Sequence, residues 1–499
     1  MIPLIIALTA SSALPQDTVL EETFDAGLDA WRGAGGEVVD GALVVEQTGD
    51  DPKSVMRQLP IDVTLIAGKL ITLTADVKAD GVSAPPNPWN GVKVMLVLDM
   101  PDGKQHPQLP PEAGTYDWTT KTRTMRIPAA AIGATLSVGL ELVSGKASFD
   151  NITIVTGRLA TGGKRSEVMD RGHDLDRLRG SMHGPVFREE DFRALATDFG
   201  ANHMRWQLNW VPMKAAEEWA TDIDAYNEWL DGALEECDKA IALAEELNVV
   251  LLVDLHCPPG GRKEGGVCRM FQEKHYQDLL LDSWRKIATR YKGREVVWAY
   301  DIINEPVEGR VGEGLMNWRD LATAAAELIR EIDPGKPIVV EPGPWGGPGG
   351  FDNFVPLDMD GIIYSCHMYI PHQFTHQGVH GSDVDVAYPG IIGGEQWDKD
   401  RLKEALAPAR DFQLAYNVPM YIGEFSAIRW APDNSAFRYL RDVIDIFEEY
   451  EWDWAYHAFR EWSGWSVEHG TDPKDTGPAA DPTDREKLLR GWLAKNERP

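Results

Sequence analysis

The stretch VVWAYDIINEP, residues 296–306, reads as an apolar strand that stops on an amide, an acid and a proline. Apolar residues from Val296 to Ile303, broken only by Asp301, suit a strand buried on both faces, as in a parallel sheet covered by helices. Asn304 and Glu305 stand where such a strand would leave its sheet, and Pro306 turns the chain away. A carboxylate at that point is either a solvated loop residue or an acid placed at the mouth of a site. The neighbouring pattern decides between the two.

Seven other short apolar runs share this grammar: Leu178–Met182, Ala201–Gln207, Val249–Leu255, Pro337–Glu341, Gly361–Cys366, Val418–Gly423 and Trp452–Ala458. Longer segments with helical spacing separate most of them, for example Leu230, Leu234, Cys237, Ile241 and Ala244. After the fifth run only a Gly/Pro-rich loop and a short helix fit. Eight strand–helix units over residues 178–499 predict a (β/α)8 TIM barrel with insertions. A doubly wound sheet is the alternative, and the absence of a Gly-rich phosphate loop after the first strand speaks against it.

The preceding half is written differently. Ile71, Leu73, Ala75 and Val77 alternate with Thr72, Thr74, Asp76 and Lys78, and similar period-two runs follow at 92–96 and 136–142. Gly, Pro and Asp clusters separate them, which predicts an antiparallel β-sandwich over residues 18–157. Residues 158–177 are polar and Gly-rich, and read as a linker. The chain is thus expected to be multidomain, a sandwich followed by a barrel.

Composition limits the partners. With 49 Lys+Arg against 79 Asp+Glu the net charge is −30, so nucleic acid is excluded as a partner and a neutral substrate is not. Residues 1–16 carry an apolar core and small residues at a cleavage position, which predicts a signal peptide and a secreted or periplasmic protein. No later stretch is long and apolar enough to span a membrane, and a monomer is expected. Of the four cysteines, Cys237 lies on an apolar helix face, and an exported protein would permit a Cys257–Cys268 disulfide.

The strand ends carry the chemistry. The second run holds Arg205; the third ends on Asp254 and His256; the fourth on Asn304 and Glu305. The sixth ends on His367 and Tyr369, the seventh on Glu424, and the eighth in aromatics with His457, Arg460 and Glu461. Any one of these is easily a satisfied polar residue. In a barrel, however, all the C-terminal strand ends converge on one mouth, and gathered charges are costly unless paired or used. Two carboxyls across a mouth suit glycosidic bond cleavage: one protonates the leaving oxygen, the other attacks carbon or activates water. Arg205 would keep one acid ionised, Tyr369 could donate to it, and Asn304 could bond the sugar hydroxyl beside the reacting carbon.

DIINEP around one acid and YIGEFS around the other resemble glycoside hydrolase family 5, a family of retaining cellulases and related enzymes. Arg205, His256, Asn304, Glu305, His367, Tyr369 and Glu424 each fall on a position of that family's motif set. The resemblance implies Glu305 as acid/base, Glu424 as nucleophile, a covalent glycosyl-enzyme and no catalytic cofactor. It also implies an aromatic platform from the eighth strand under the sugar, for which Trp462 is the favoured candidate, with Phe459 and Trp465 as the others.

Sugar faces stack on aromatic rings, and 18 Trp is a high count. Trp210, Trp345 and Trp430, with Trp206 and Trp397, are expected in loops around the mouth, about half of this group serving the core instead. The loop HMYIPHQFTHQG resembles one in family members acting on β-1,4-glucans, which points to an endo-β-1,4-glucanase. β-Mannanase, xyloglucanase and exo-β-glucosidase are the alternatives on the same fold, and a non-catalytic polysaccharide-binding surface protein is the alternative of another class. His372, His376 and His380 sit in a Gly-rich loop and are not read as a zinc site. FDAGLDAW and SFDNITI bracket the first half, which resembles a jelly-roll carbohydrate-binding module. Trp89 and Trp118 are its candidate sugar platforms, and Glu22 and Asp150 its candidate ligands for a structural Ca²⁺.

Overall fold

The computed structural model describes residues 17–49, 51–87, 89–101, 103–157, 171–209, 219–379, 381 and 385–498. The expected signal peptide, most of the linker, Trp210 and His380 lie outside the described residues. The chain divides into two compact units, Met1–Thr161 and Gly162–Pro499.

The first unit contains two antiparallel sheets. A six-stranded sheet comprises Thr18–Glu22, Glu37–Val39, Ala42–Gln47, Leu70–Val82, Gly114–Arg126 and Gly145–Thr156. A four-stranded sheet comprises Val55–Ile61, Gly91–Met100, Gly103–Gln105 and Gly133–Glu141. The alternation seen in sequence has a direct consequence here. Ile71, Leu73, Ala75 and Val77 from one sheet and Val92, Val94, Leu96, Leu136 and Val138 from the other are buried in a single hydrophobic cluster. Phe24 and Trp31 of FDAGLDAW join that cluster, their rings 5.5 Å apart.

The second unit is a closed barrel of eight parallel strands: β1 (Arg179–His183), β2 (His203–Gln207), β3 (Val250–Asp254), β4 (Val297–Asp301), β5 (Ile338–Val340), β6 (Ile362–Met368), β7 (Met420–Phe425) and β8 (Asp453–Phe459). Each overlaps its expected run. Helices such as Ile223–Leu247, Lys274–Tyr291 and Trp318–Ile332 lie between strands, and Asp222 caps the first of these by accepting from Asp224 N and Ala225 N. Only a 3₁₀ turn, Pro348–Asp352, stands between β5 and β6, where the sequence offered no full helix.

Period two sorts each strand's side chains between two cores. Met182, Val250, Leu252, Val339, Ile363, Tyr421 and Ala455 fill the barrel interior. Their neighbours Leu251, Val253, Ile338, Ile362, Ile422 and Trp454 pack outward in the cluster that contains the helices. The same parity carries Arg205, Asp254, Asp301 and His457 to the inner side above that interior core.

No disulfide joins Cys257 and Cys268. Both are buried thiols: Cys257 Sγ lies 3.2 Å from Asn209 Oδ1, and Cys268 Sγ accepts from Arg262 at 3.4 Å. Each sulfur is engaged by a different polar side chain instead of by the other. The loop after β6 holds a short helix, His372–Thr375, where only loop was expected, and His372 and His376 stack within it at 3.8 Å.

Candidate active site

Arg205 organises the floor of the mouth. Its side chain on β2 is fully buried and reaches four carboxylates: Glu424 at 2.8 Å, Asp301 and Glu341 at 2.9 Å, and Asp254 at 3.3 Å. It also donates to Asn304 Oδ1 at 3.0 Å. Burial alone would lower the guanidinium pKa, but these carboxylates outweigh it and hold Arg205 charged. One cation cannot balance four buried anions. Burial pushes Asp301 well above the ordinary carboxylate value; Arg205 opposes this, and the nearby Glu341 and Asp254 push the same way as burial.

Glu305 follows β4 with φ +50°, a left-handed conformation that a glutamate adopts only when held there. The holding groups are visible. Its N–H donates to Glu341 Oε2 at 2.8 Å, while Arg262 donates to the carbonyls of Asn304 at 3.0 Å and Glu305 at 2.9 Å. Its side chain lies 3.0 Å from His367 Nδ1. The other ring nitrogen of His367 is 3.0 Å from Glu341 Oε1. Burial opposes a charge on His367, but Glu341 and Glu424 outweigh it, and its pKa is raised well above normal. Gly346 carries the β5 loop over this pair at φ +60°. A side chain there would strike Glu341 Oε2 at 2.7 Å, which is why glycine is required.

Glu424 ends β7, beside His367 on β6. One oxygen accepts from Arg205 and the other from Tyr369 Oη at 2.9 Å. His457 Nδ1 lies 3.4 Å from that second oxygen. Burial would raise the Glu424 pKa; His367, His457, Arg205 and His256 together reverse this and hold it well below the carboxylate range. His256 sits between Asp254, at 2.7 Å from its Nδ1, and the Asn304 amide, at 3.3 Å from its Nε2. One atom each from Glu305, His367 and Glu424 fall within 4.8 Å of one another. The geometry therefore brings together Arg205, His256, Asn304, Glu305, His367, Tyr369 and Glu424, whereas Arg460 pairs with Asp191 and Glu468 instead.

A family model for cellulase (glycosyl hydrolase family 5) matches residues 168–467, more than half of the chain. The chain belongs to glycosyl hydrolase family 5. Endoglucanase C of Acetivibrio thermocellus is 27% identical over 289 residues, covering 53% of this chain and 81% of that protein. Cellodextrinase A of Ruminococcus flavefaciens is 24% identical over 285 residues, covering 53% and 75%. A solved glycoside hydrolase structure covers 63% of this chain and 99% of its own, with a TM-score of 0.50 and 23% identity, which shows the shared fold. Chemistry in this family requires no cofactor.

Against the family-5 pattern, two features were missed in the sequence. Glu341 is a third glutamate at the site, fully buried, and Arg262 is the clamp on the NEP backbone; neither stood out as a motif. Of the aromatics expected as a platform, Trp462 is 41% exposed and packs edge-on against Trp430 and Trp465. Phe459 is buried against Phe199, 5.0 Å away, with Arg460 over its ring. The eighth-strand side chain that meets Glu424 is His457. Trp345 is exposed beside Arg262, and Trp430 is half-buried, its indole donating to Gln377 O. Trp206 and Trp397 are core; Trp206 is fully buried, stacked on His183.

Proposed function

We propose that this glycoside hydrolase is a retaining endo-β-1,4-glucanase, with Glu305 as acid/base and Glu424 as nucleophile. The observation that carries this reading is the approach of one oxygen from each glutamate to within 4.8 Å. Carboxyl groups about 5–5.5 Å apart suit direct attack, whereas inverting enzymes keep about 6.5–9.5 Å for an intervening water. Glu424, held ionised, attacks the anomeric carbon as protonated Glu305 gives its proton to the leaving oxygen. Water, deprotonated by Glu305, then cleaves the glycosyl ester and frees Glu424. Arg205, His256, Asn304, His367 and Tyr369 support these two acids. The endoglucanase named above supports β-1,4-glucan as substrate.

Glu424→Gln tests the assignment. Release of reducing ends from soluble β-1,4-glucan should drop by several orders of magnitude, and wild-type rates on β-glucan, β-mannan and xyloglucan alike would remove it.

For the first unit we propose a jelly-roll carbohydrate-binding module on a secreted or periplasmic, monomeric protein. Trp89 and Trp118 are 59% and 46% exposed, as sugar platforms must be. Calcium does not fit the residues named for it. Glu22 spends its two oxygens on Phe24 N at 2.7 Å and Trp31 Nε1 at 3.0 Å, and Asp150 Oδ1 accepts from Asn151 N. Calcium takes about six to eight oxygen ligands, and these donors do not assemble such a cage.

A further inference from the structure

Glu461 lies beyond the end of β8, outside the set of residues given a role above. Its carboxylate is 3.7 Å from His457 Nε2, and Gln207 Nε2 donates to it at 2.7 Å. The Gln207 amide oxygen in turn accepts from Asn209 at 2.8 Å, which fixes the amide with its nitrogen toward Glu461. His457 Nδ1 is hydrogen-bonded to Tyr369 Oη, and that oxygen is 2.9 Å from Glu424 Oε2. A continuous chain, Glu461–His457–Tyr369–Glu424, therefore runs behind one of the two acids.

The protons in this chain can be counted. Tyr369 has one hydroxyl proton and two partners. If that proton points at His457, Glu424 faces a lone pair and loses a donor. If it points at Glu424, the Tyr369–His457 bond must take its proton from Nδ1. Only the second arrangement satisfies both contacts, and it requires Nδ1–H. Nε2 then faces a carboxylate, which favours a proton there as well. We propose that Glu461 is a positioning residue: by holding His457 doubly protonated, it directs the tyrosine proton onto Glu424. This rests on the reading of Glu424 as nucleophile.

The surroundings agree. His457 is faced by Glu424 from β7, Tyr369 from the end of β6, Glu305 from the end of β4 and Glu461 from its own loop; Glu461 also feels His256. Burial by itself would discharge His457, and Glu424, Glu461 and Glu305 outweigh it and raise its pKa. Without the Glu461 charge, the ring can revert to the neutral Nε2–H form. Its Nδ1 then accepts the Tyr369 proton, and the nucleophile loses that donor while keeping Arg205 on its other oxygen. The role is distinct from sugar contact, for which Glu461 also has an opening: it borders a cavity of about 350 Å³ lined by Pro185, Val186, Asn209, Phe459 and Trp462.

The test is Glu461→Gln assayed on 2,4-dinitrophenyl β-cellobioside, whose leaving group needs no proton from Glu305. The wild-type kcat/KM should be level through neutral pH. The variant should match it at acid pH and fall about tenfold per pH unit above the lowered His457 pKa, with KM unchanged. Glu461→Asp should restore most of the wild-type profile. A Glu461→Gln profile parallel to wild type, or a uniform loss with raised KM, would overturn the inference. Labelling both proteins with a 2-deoxy-2-fluoro-cellobioside separates the underlying reading. A label on Glu424 with a parallel profile sinks only the Glu461 role; a label elsewhere sinks the nucleophile reading itself.

Discussion

Replacing Glu341 should damage catalysis chiefly through Glu305. Glu341 accepts the Glu305 N–H at 2.8 Å, accepts from Arg205 at 2.9 Å and lies 3.0 Å from His367. Glu341→Ala leaves a buried N–H without an acceptor, worth about 1–3 kcal/mol. It also breaks a buried charge contact, but Arg205 keeps Asp254, Asp301 and Glu424, so the cost falls below the roughly 3–5 kcal/mol of an isolated pair. Folding survives at reduced stability. The greater effect is on position: Glu305 sits at φ +50° and depends on that N–H bond to stay there. A displacement of ~1 Å costs about 100-fold in rate. We expect kcat/KM on cello-oligosaccharides to fall about 100-fold for Glu341→Ala, and about tenfold for Glu341→Gln, which keeps an acceptor oxygen. On a dinitrophenyl cellobioside the loss should be far smaller, because proton donation is no longer needed. Equal losses on both substrates would refute the route through Glu305 and leave Glu341 a purely structural residue.

Other outcomes follow from the charges and the exposed rings. Because His367, His457 and Arg205 outweigh burial at Glu424, its carboxylate stays ionised in acid. The acid limb of kcat/KM should therefore lie below the ordinary glutamate value of about 4.3; a limb at or above that value would contradict the charge arrangement. Trp89→Ala and Trp118→Ala in the full-length Glu424→Gln background should weaken retardation in a β-glucan affinity gel, and unaltered mobility would argue against the sugar platforms.

Much of the barrel was legible because parallel strands buried on both faces leave a plain signature, an apolar run that stops on a polar residue. Asn304–Glu305 and Glu424 announced themselves this way. Glu341 carried the same signal, IVVEP beside IINEP, but its strand is only Ile338–Val340 and a Gly/Pro-rich loop follows, so the run looked incomplete. On the eighth strand the expected platform came from the family resemblance, whereas alternation along the strand decides which side chain faces inward. Ala455 and His457 point in and Trp454 and Tyr456 out; the alternation then breaks, so that Ala458 joins the inner cluster and Phe459 the outer one. Trp206 was misjudged likewise: one residue after inward Arg205, it must point out. Arg262 was invisible because a clamp on backbone carbonyls needs only reach, and leaves no pattern in the chain.

The direct trial of the two-glutamate account is the configuration of the first product. Proton NMR during hydrolysis of a β-1,4-linked cello-oligosaccharide should show the β-anomer appearing first and the α-anomer only later, by mutarotation. Initial release of the α-anomer would mean single displacement by water, and would contradict Glu424 as the attacking group.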